Sequence, residues 1–528
     1  MGDTLRPLSV GPIIGHTTPN MARIWMRGAD DPERRTLGVG ALFDVKGVYV
    51  PKSAQYVRLR REFDRTGTID FERLDPDTAY LVRLGSLAID SRDAMEHVED
   101  TDILKKLPKP EAWLEELGSL EEEKSVARFR TFPATNGKAL SFIFGSCRYP
   151  GLLWAAKRAD RIFGPILEKF RSADGKKPRF LLMVGDQIYA DKMNKAIPFE
   201  RADTPSEFHE RYVVAFTSPN MRDVLRNVTT YMILDDHEIE DNWVQGRIKN
   251  DEKRILFQTA ISAYMSYQWL PSPRNYDQDG LAKKNDGRKL FYSFECGGYS
   301  FFVMDSRTER IRDDDDFVLE DNHLLGYPAK PTAPGYKGQI DILCEWLIAQ
   351  QEAQGDRPKF IVSPSVFVPN GIETAGNTEK ARRKKCEDDA WAAFPVTRAR
   401  LLKTIVDNKV QNVVFLSGDV HCSNIAEITF ADSNTNKPLP IRAFAITSSA
   451  FYWPWPFADG SPLTFVHNSD KENDNFEVDP NVVMKYVAYN FEQEDNFTQV
   501  DITATEIAAQ NFAIDGRPLG PPTKLKLA

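Results

Sequence analysis

The chain has 528 residues, and single hydrophobic cores stop growing near about 250 to 300 residues, so at least two domains are expected. With 41% hydrophobic, 11% aromatic and 27% charged residues, disorder and a collagen-like fibre are excluded. Its 68 Lys and Arg against 77 Asp and Glu leave a net charge of -9, which argues against an electrostatic grip on nucleic acid or anionic membrane but allows a local basic pocket.

Five cysteines (Cys147, Cys296, Cys344, Cys386, Cys422) are odd in number and scattered, with no CxxC pair. Neither a disulfide framework nor a structural zinc site is indicated, and a reducing compartment is expected. No run approaches the ~18 apolar residues of a membrane span, and the start, MGDTLRPLSVGPIIGHTTPN, lacks a charged segment followed by an apolar signal core. The sequence as given is expected to be cytoplasmic, or periplasmic or secreted were an export signal removed.

Short β-rich stretches at 22–27, 37–43, 54–61, 67–73, 79–88 and 125–132, separated by turn residues, predict a small β-sandwich. Within LDPDTAYLVRLGS, Tyr80 opens a strand just after a turn, as the tyrosine corner of Ig-like and fibronectin type III sandwiches does. An acidic insertion, 91–124, places Trp113, Leu114, Leu117 and Leu120 at helical spacing and reads as a solvated amphipathic helix.

From about Lys138, nearly continuous apolar runs end abruptly in polar residues: 140–148, 179–189, 229–238, 359–366 and 412–421. Such runs are strands buried on both faces. Helical segments at 155–171, 255–269, 339–354 and 398–408 alternate with them, giving an α/β domain, and 291–307 reads as a hairpin. The charged stretches 313–316 and 380–389 read as solvated loops. The expected division is 1–135, a β-sandwich domain with a helical insertion, and 136–528, a catalytic domain.

Ligands of open α/β sheets bind outside the carboxyl ends of the strands. There the sequence places Gly145-Ser146-Cys147-Arg148, Gly185-Asp186-Gln187-Ile188-Tyr189, Asp235-Asp236-His237-Glu238 and Ser417-Gly418-Asp419-Val420-His421. Thiolate, carboxylate, phenolate and imidazole together are a metal-ligand inventory, and carboxylates crowded at one sheet end call for a cation. Two metals sharing one carboxylate could clamp an in-line displacement at phosphorus.

In order and spacing, the GSC, GDxxY, DDHE and SGDVH blocks resemble the PhoD-like alkaline phosphatases of the metallophosphoesterase (calcineurin-like) superfamily, over roughly residues 10–510. The resemblance implies a layered β-sheet domain with flanking helices, preceded by an Ig/fibronectin III-like sandwich. It implies Fe3+ and Ca2+ as cofactors, with other divalent ions allowed at the second site. Asp186 would bridge the ions, Tyr189 and Cys147 would bind iron, Asp236 would reach the second metal, and Asp419 and His421 would complete the cluster. His237 would serve the phosphoryl oxygen or the leaving group, with Asp235 or Glu238 orienting it. Arg148 would fork onto phosphate oxygens, and Asp305 with Arg307 would support the site, contact substrate or form a structural ion pair. The superfamily's extra His has no counterpart, since His323 lies in a charged loop.

The expected activity is metal-dependent hydrolysis of a small phosphate ester, a metal-bound hydroxide attacking phosphorus in line. The alternatives are a phosphodiesterase or phospholipase D-like enzyme, a non-catalytic metal-stabilised binding protein, or an iron redox protein. His16, His97, His209 and His467 have no ligand-spaced partners. The stretch FYWPWPF, 451–457, reads as packing, with a cleft wall or a membrane-interface contact as alternatives. No P-loop, GxSxG elbow or strand-linked GxGxxG is found. No specific nucleic-acid partner is expected, and the oligomeric state is left open.

Overall fold

The computed structural model describes residues 3–31, 34–89, 100–134, 139–150, 157–172, 177–191, 201–276, 289–312, 318–328, 337–455 and 460–528. Outside these lie 91–99 of the acidic insertion with His97, the start of the 155–171 segment, the charged stretch 313–316, the last two residues of FYWPWPF and the expected domain boundary at 135/136.

The N-terminal part is two facing sheets. One orders Thr4–Arg6, Ala79–Ala88, Thr36–Asp44 and Gln55–Arg58, with Val126–Arg130 also on Ala79–Ala88; the other orders Val10–Thr17, Met21–Arg27 and Thr66–Glu72. Alternation along Ala79–Ala88 turns Tyr80, Val82 and Leu84 inward, where they meet Ile14, Ile24 and Met26. The Tyr80 hydroxyl accepts the Asp75 N–H at 3.0 Å. The amphipathic insertion covers the sheet's other face: Leu117 is fully buried against Val39, Ala41 and Phe43, with Trp113, Leu114 and Leu120 around it.

From Leu140 onward two mixed sheets face each other. The first orders Thr230–Ile233, Leu181–Val184, Leu140–Arg148, Asn496–Ile502, Glu506–Ala513 and Pro518–Lys526; its first three strands are parallel, and Ser449–Tyr452 pairs with the end of Leu140–Arg148. The second orders Tyr292–Cys296, Tyr299–Val303, Lys359–Ser363, Val413–Ser417, Pro438–Thr447, Ser423–Asp432, Val482–Glu492 and Phe476–Asp479, parallel from Tyr299–Val303 to Pro438–Thr447. Phe301 and Phe360 stand edge-on to Phe142 of the first sheet at 5.4 and 5.5 Å. Their neighbours Phe302 and Ile361 face the opposite way, toward helices Gln339–Gln354 and Pro395–Asp407. The strand–helix alternation thus holds for the parallel strands. The antiparallel C-terminal strands are interrupted by polar residues and form no continuous apolar run.

The 380–389 stretch is a correction. It forms the helix Glu379–Glu387, capped by the Thr378 side chain on the Ala381 N–H; Lys380, Arg382, Arg383 and Glu387 are exposed as expected, whereas Ala381 and Cys386 are buried and Asp389, just beyond the helix, pairs with buried Arg307. Among the described residues no helix is long and apolar enough to cross a membrane. All five cysteines are buried, and none forms a disulfide.

Candidate metal centre

The parallel strands of both sheets deliver their polar blocks to one place. Cys147, Asp186, Asp419 and His421 all have left-handed backbones, with φ of 57°, 59°, 70° and 50°. Such conformations are costly for these residue types and cluster at functional sites. The glycines before the two aspartates permit the approach: a Cβ on Gly185 would lie 2.4 Å from Asp235 Cβ, and one on Gly418 would lie 2.4 Å from Ser146 Oγ.

Ligand atoms of Asp186, Asp235, Asp236 and Asp419 lie within 4.8 Å of one another, as do those of Asp186, Asp236 and His237. Asp186 Oδ2 is 3.5 Å from Cys147 Sγ and 3.4 Å from the Tyr189 hydroxyl. Burial and then the neighbouring carboxylates Asp186 and Asp419 push the Cys147 thiol well above its usual range. Burial pushes Asp419 up too, reinforced by Asp389, Asp235 and Asp236. Among the described residues nothing donates a hydrogen bond to the buried atoms Asp235 Oδ2 and Asp236 Oδ1. Crowded carboxylates with idle lone pairs beside a thiol and a phenol fit a cation, which would reverse these shifts.

His237 lies over Tyr189, ring centroids 4.2 Å apart, and its Nδ1 pairs with Asp191 Oδ1 at 2.8 Å. Burial opposes its charge, but Asp191, Asp236 and Asp186 together hold its pKa well above the usual histidine range. Asp191, rather than Asp235 or Glu238, orients it. Glu238 is instead fully buried and clasps backbone, accepting from the N–H groups of Asp186, Gln187 and Asp235 at 3.1, 2.8 and 2.8 Å and from Gln268 Nε2 at 3.0 Å. Burial raises its carboxyl to about 7 against the pull of those bonds. His421 stacks on Trp453 at 3.7 Å, and burial, then His237, pushes its pKa down to about 3.

Asp235 and Arg307, both fully buried, are ion-paired; Arg307 Nη2 also reaches Asp389 Oδ2 at 2.7 Å and Asp236 Oδ1 at 3.5 Å. Burial raises the Asp235 carboxyl to about 6 while Arg307 pulls it back. Burial also works against Asp236, yet Arg307 and His237 carry it below the usual range. Asp305 accepts the N–H groups of Arg307 and Thr308 at 3.0 and 2.8 Å, so it caps the turn that presents Arg307.

Arg148 is the clearest departure. Successive strand residues point to opposite faces, so the neighbour of Cys147 leaves the cluster: its guanidinium donates to Ser218 Oγ at 3.2 Å and lies over Phe163. His323 is likewise apart, against Tyr327, and His16, His209 and His467 pair with Tyr231, Asp64 and the Pro462 carbonyl. The described part of FYWPWPF packs as expected: Phe451 and Tyr452 are buried, and half-buried Trp453 and Trp455 stand edge-on to Tyr149, with Trp453 also stacked on His421. Sequence reasoning missed Asp191, Asp389 and Gln268. Only Asp191 had a signal, its place two residues past the end of the Gly185–Tyr189 block.

The family described as PhoD-like phosphatase matches residues 162–510. A solved structure titled "Structure of PhoD" is similar with a TM-score of 0.60 at 16% identity, covering 98% of this chain and 89% of that one, a likeness of fold. A glycosyl hydrolase family 2 member from Bacteroides cellulosilyticus scores 0.26 at 10% identity, over 99% of this chain and 64% of that one, too low to bear on the fold. No curated protein matches the sequence.

Proposed function

The chain belongs to the PhoD-like phosphatase family, and from that premise we propose that it is a metal-dependent hydrolase of small phosphate esters working at the Asp186 cluster. What supports this reading most is the meeting of Asp186, Asp235, Asp236 and Asp419 within 4.8 Å. With a cation bound, Cys147 and Tyr189 would lose their protons and join Asp186 as a thiolate, phenolate and carboxylate set suited to ferric ion; the oxygen donors of Asp236 and Asp419 would suit calcium or another hard divalent ion, and His421 would complete the set. Cations held there would supply Lewis-acid charge neutralisation and make water more acidic.

The chain's own residues do the rest. Asp186 stands between the two donor sets. With Nδ1 committed to Asp191, His237 has Nε2 to give to the phosphoryl oxygen or leaving group. Arg307 keeps Asp236 ionised without touching substrate. Trp453 and Trp455 wall the approach. Kinship with the wider metallophosphatases, a fibronectin III-like character for the sandwich on the Tyr80 bond, and a division into 1–135 and 136–528 belong to the same proposal.

Asp186→Asn tests it, since asparagine tolerates the left-handed backbone at this position. The variant is expected to fold as wild type by circular dichroism, to retain less metal on elemental analysis, and to lose p-nitrophenyl phosphate hydrolysis. Full metal content with wild-type turnover would contradict the assignment. The ratio of p-nitrophenyl phosphate to bis-p-nitrophenyl phosphate rates in wild type sets monoesterase against diesterase.

A further inference from the structure

Helix Asp251–Tyr264 ends in a π-helical turn, Met265–Trp269, a rare form that is frequent at functional sites. The N-terminal sandwich grips this turn from one side. Trp25 Nε1 donates to the Ser266 carbonyl at 2.8 Å, and the Tyr267 hydroxyl bonds Asp64, itself paired with Arg27 at 2.8 Å. Arg23 Nη1 donates to the Ser272 carbonyl at 2.7 Å, and the His16 N–H to the Pro271 carbonyl at 2.8 Å.

From the other side of the same turn, fully buried Gln268 donates to Glu238 Oε1 at 3.0 Å and to the Tyr212 hydroxyl at 3.3 Å. Among the described residues nothing donates to its own buried Oε1, so burying this amide costs stability. Glu238 in turn accepts from the backbone of Asp186, Gln187 and Asp235, two of which carry carboxylates of the cluster. One bonded chain therefore runs from the sandwich through the π-turn and Glu238 to the metal-ligand loops.

We propose that Gln268 is a positioning residue for the metal centre, and that the N-terminal sandwich, by holding residues 265–272, is a working part of that centre. The inference rests on the proposed function. Without the Gln268 donor, Glu238 Oε1 keeps one partner and its carboxylate can turn, loosening the Asp186 and Asp235 loops together. Groups that orient metal ligands in this indirect way typically change affinity or activity by about 10- to 100-fold when replaced.

The full-length protein as purified and its Gln268→Met variant, similar in length but without a donor, are challenged with graded EDTA. Retained metal is measured by elemental analysis, alongside kcat and KM for p-nitrophenyl phosphate. Gln268→Met is expected to release metal at about 10- to 100-fold weaker chelation, with kcat falling more than KM rises. A variant with lowered Tm but wild-type metal retention and kcat would reduce Gln268 to packing and overturn the inference. If Gln268→Met does not fold, Trp25→Phe, which removes only the indole donor to Ser266, decides: easier metal release supports the link and unchanged release overturns it. Wild type deciding against metal and hydrolysis would be the failure of the proposed function; the ratio of variant to wild type concerns only the positioning role.

Discussion

Replacing His237 by Gln is expected to lower kcat by about 10²- to 10⁴-fold, the usual contribution of a positioned general acid or base. Its Nδ1 is held by Asp191 at 2.8 Å and its ring lies over Tyr189, so the imidazole is fixed in place beside the carboxylates. Comparison of esters separates its two possible duties. If His237 protonates the leaving group, the loss is larger for an alkyl phosphate than for p-nitrophenyl phosphate, whose leaving group departs without a proton. If it bonds the phosphoryl oxygen, both fall together. Asp191→Ala, which frees the ring to turn, should show the same substrate pattern with a smaller loss. Wild-type kcat in His237→Gln on both esters would remove the residue from the reaction.

Replacing Arg307 by Met is expected to destabilise the protein by about 3–5 kcal/mol, because breaking one side of a buried ion pair strands its partners. Arg307 and Asp235 are both fully buried, and Asp389 and Asp236 face the same guanidinium. Removing Asp389 together with Arg307 should cost less than the sum of the two single changes, since one stranded charge disappears with its partner. Urea denaturation of the two single variants and the double variant measures this coupling. Loss below about 1 kcal/mol for Arg307→Met, the range of a surface pair, would contradict the assigned role.

The strands that carry the site were legible because burial on both faces writes them as unbroken apolar runs. LSFIFGSCR, LLMV and VVFLS all lie where the runs placed them. The candidate ligand blocks were legible for a related reason: a polar group immediately after such a run must sit at the sheet's carboxyl edge. Residues that reach the site from elsewhere left no comparable trace. Asp389 follows a charged helix like any solvated run, and what draws it in is its pairing with Arg307 and Arg310, which are distant in sequence. Gln268 sits on a helical segment whose departure into a π-turn has no single-residue signature. Arg148 shows the opposite error, in which adjacency to Cys147 was taken for sharing its direction although strand geometry alternates the two. Polar residues interrupt the antiparallel strands Ser423–Asp432 and Val482–Glu492, so neither shows an unbroken apolar run.

The most direct test of the central claim is elemental analysis of the purified protein with a visible spectrum, followed on the same sample by p-nitrophenyl phosphate hydrolysis before and after chelation. Bound iron with a tyrosinate charge-transfer band from Tyr189, a second hard divalent ion, and hydrolysis that chelation abolishes and metal restores are the expected results. Hydrolysis that persists at full rate in protein freed of metal would contradict that claim.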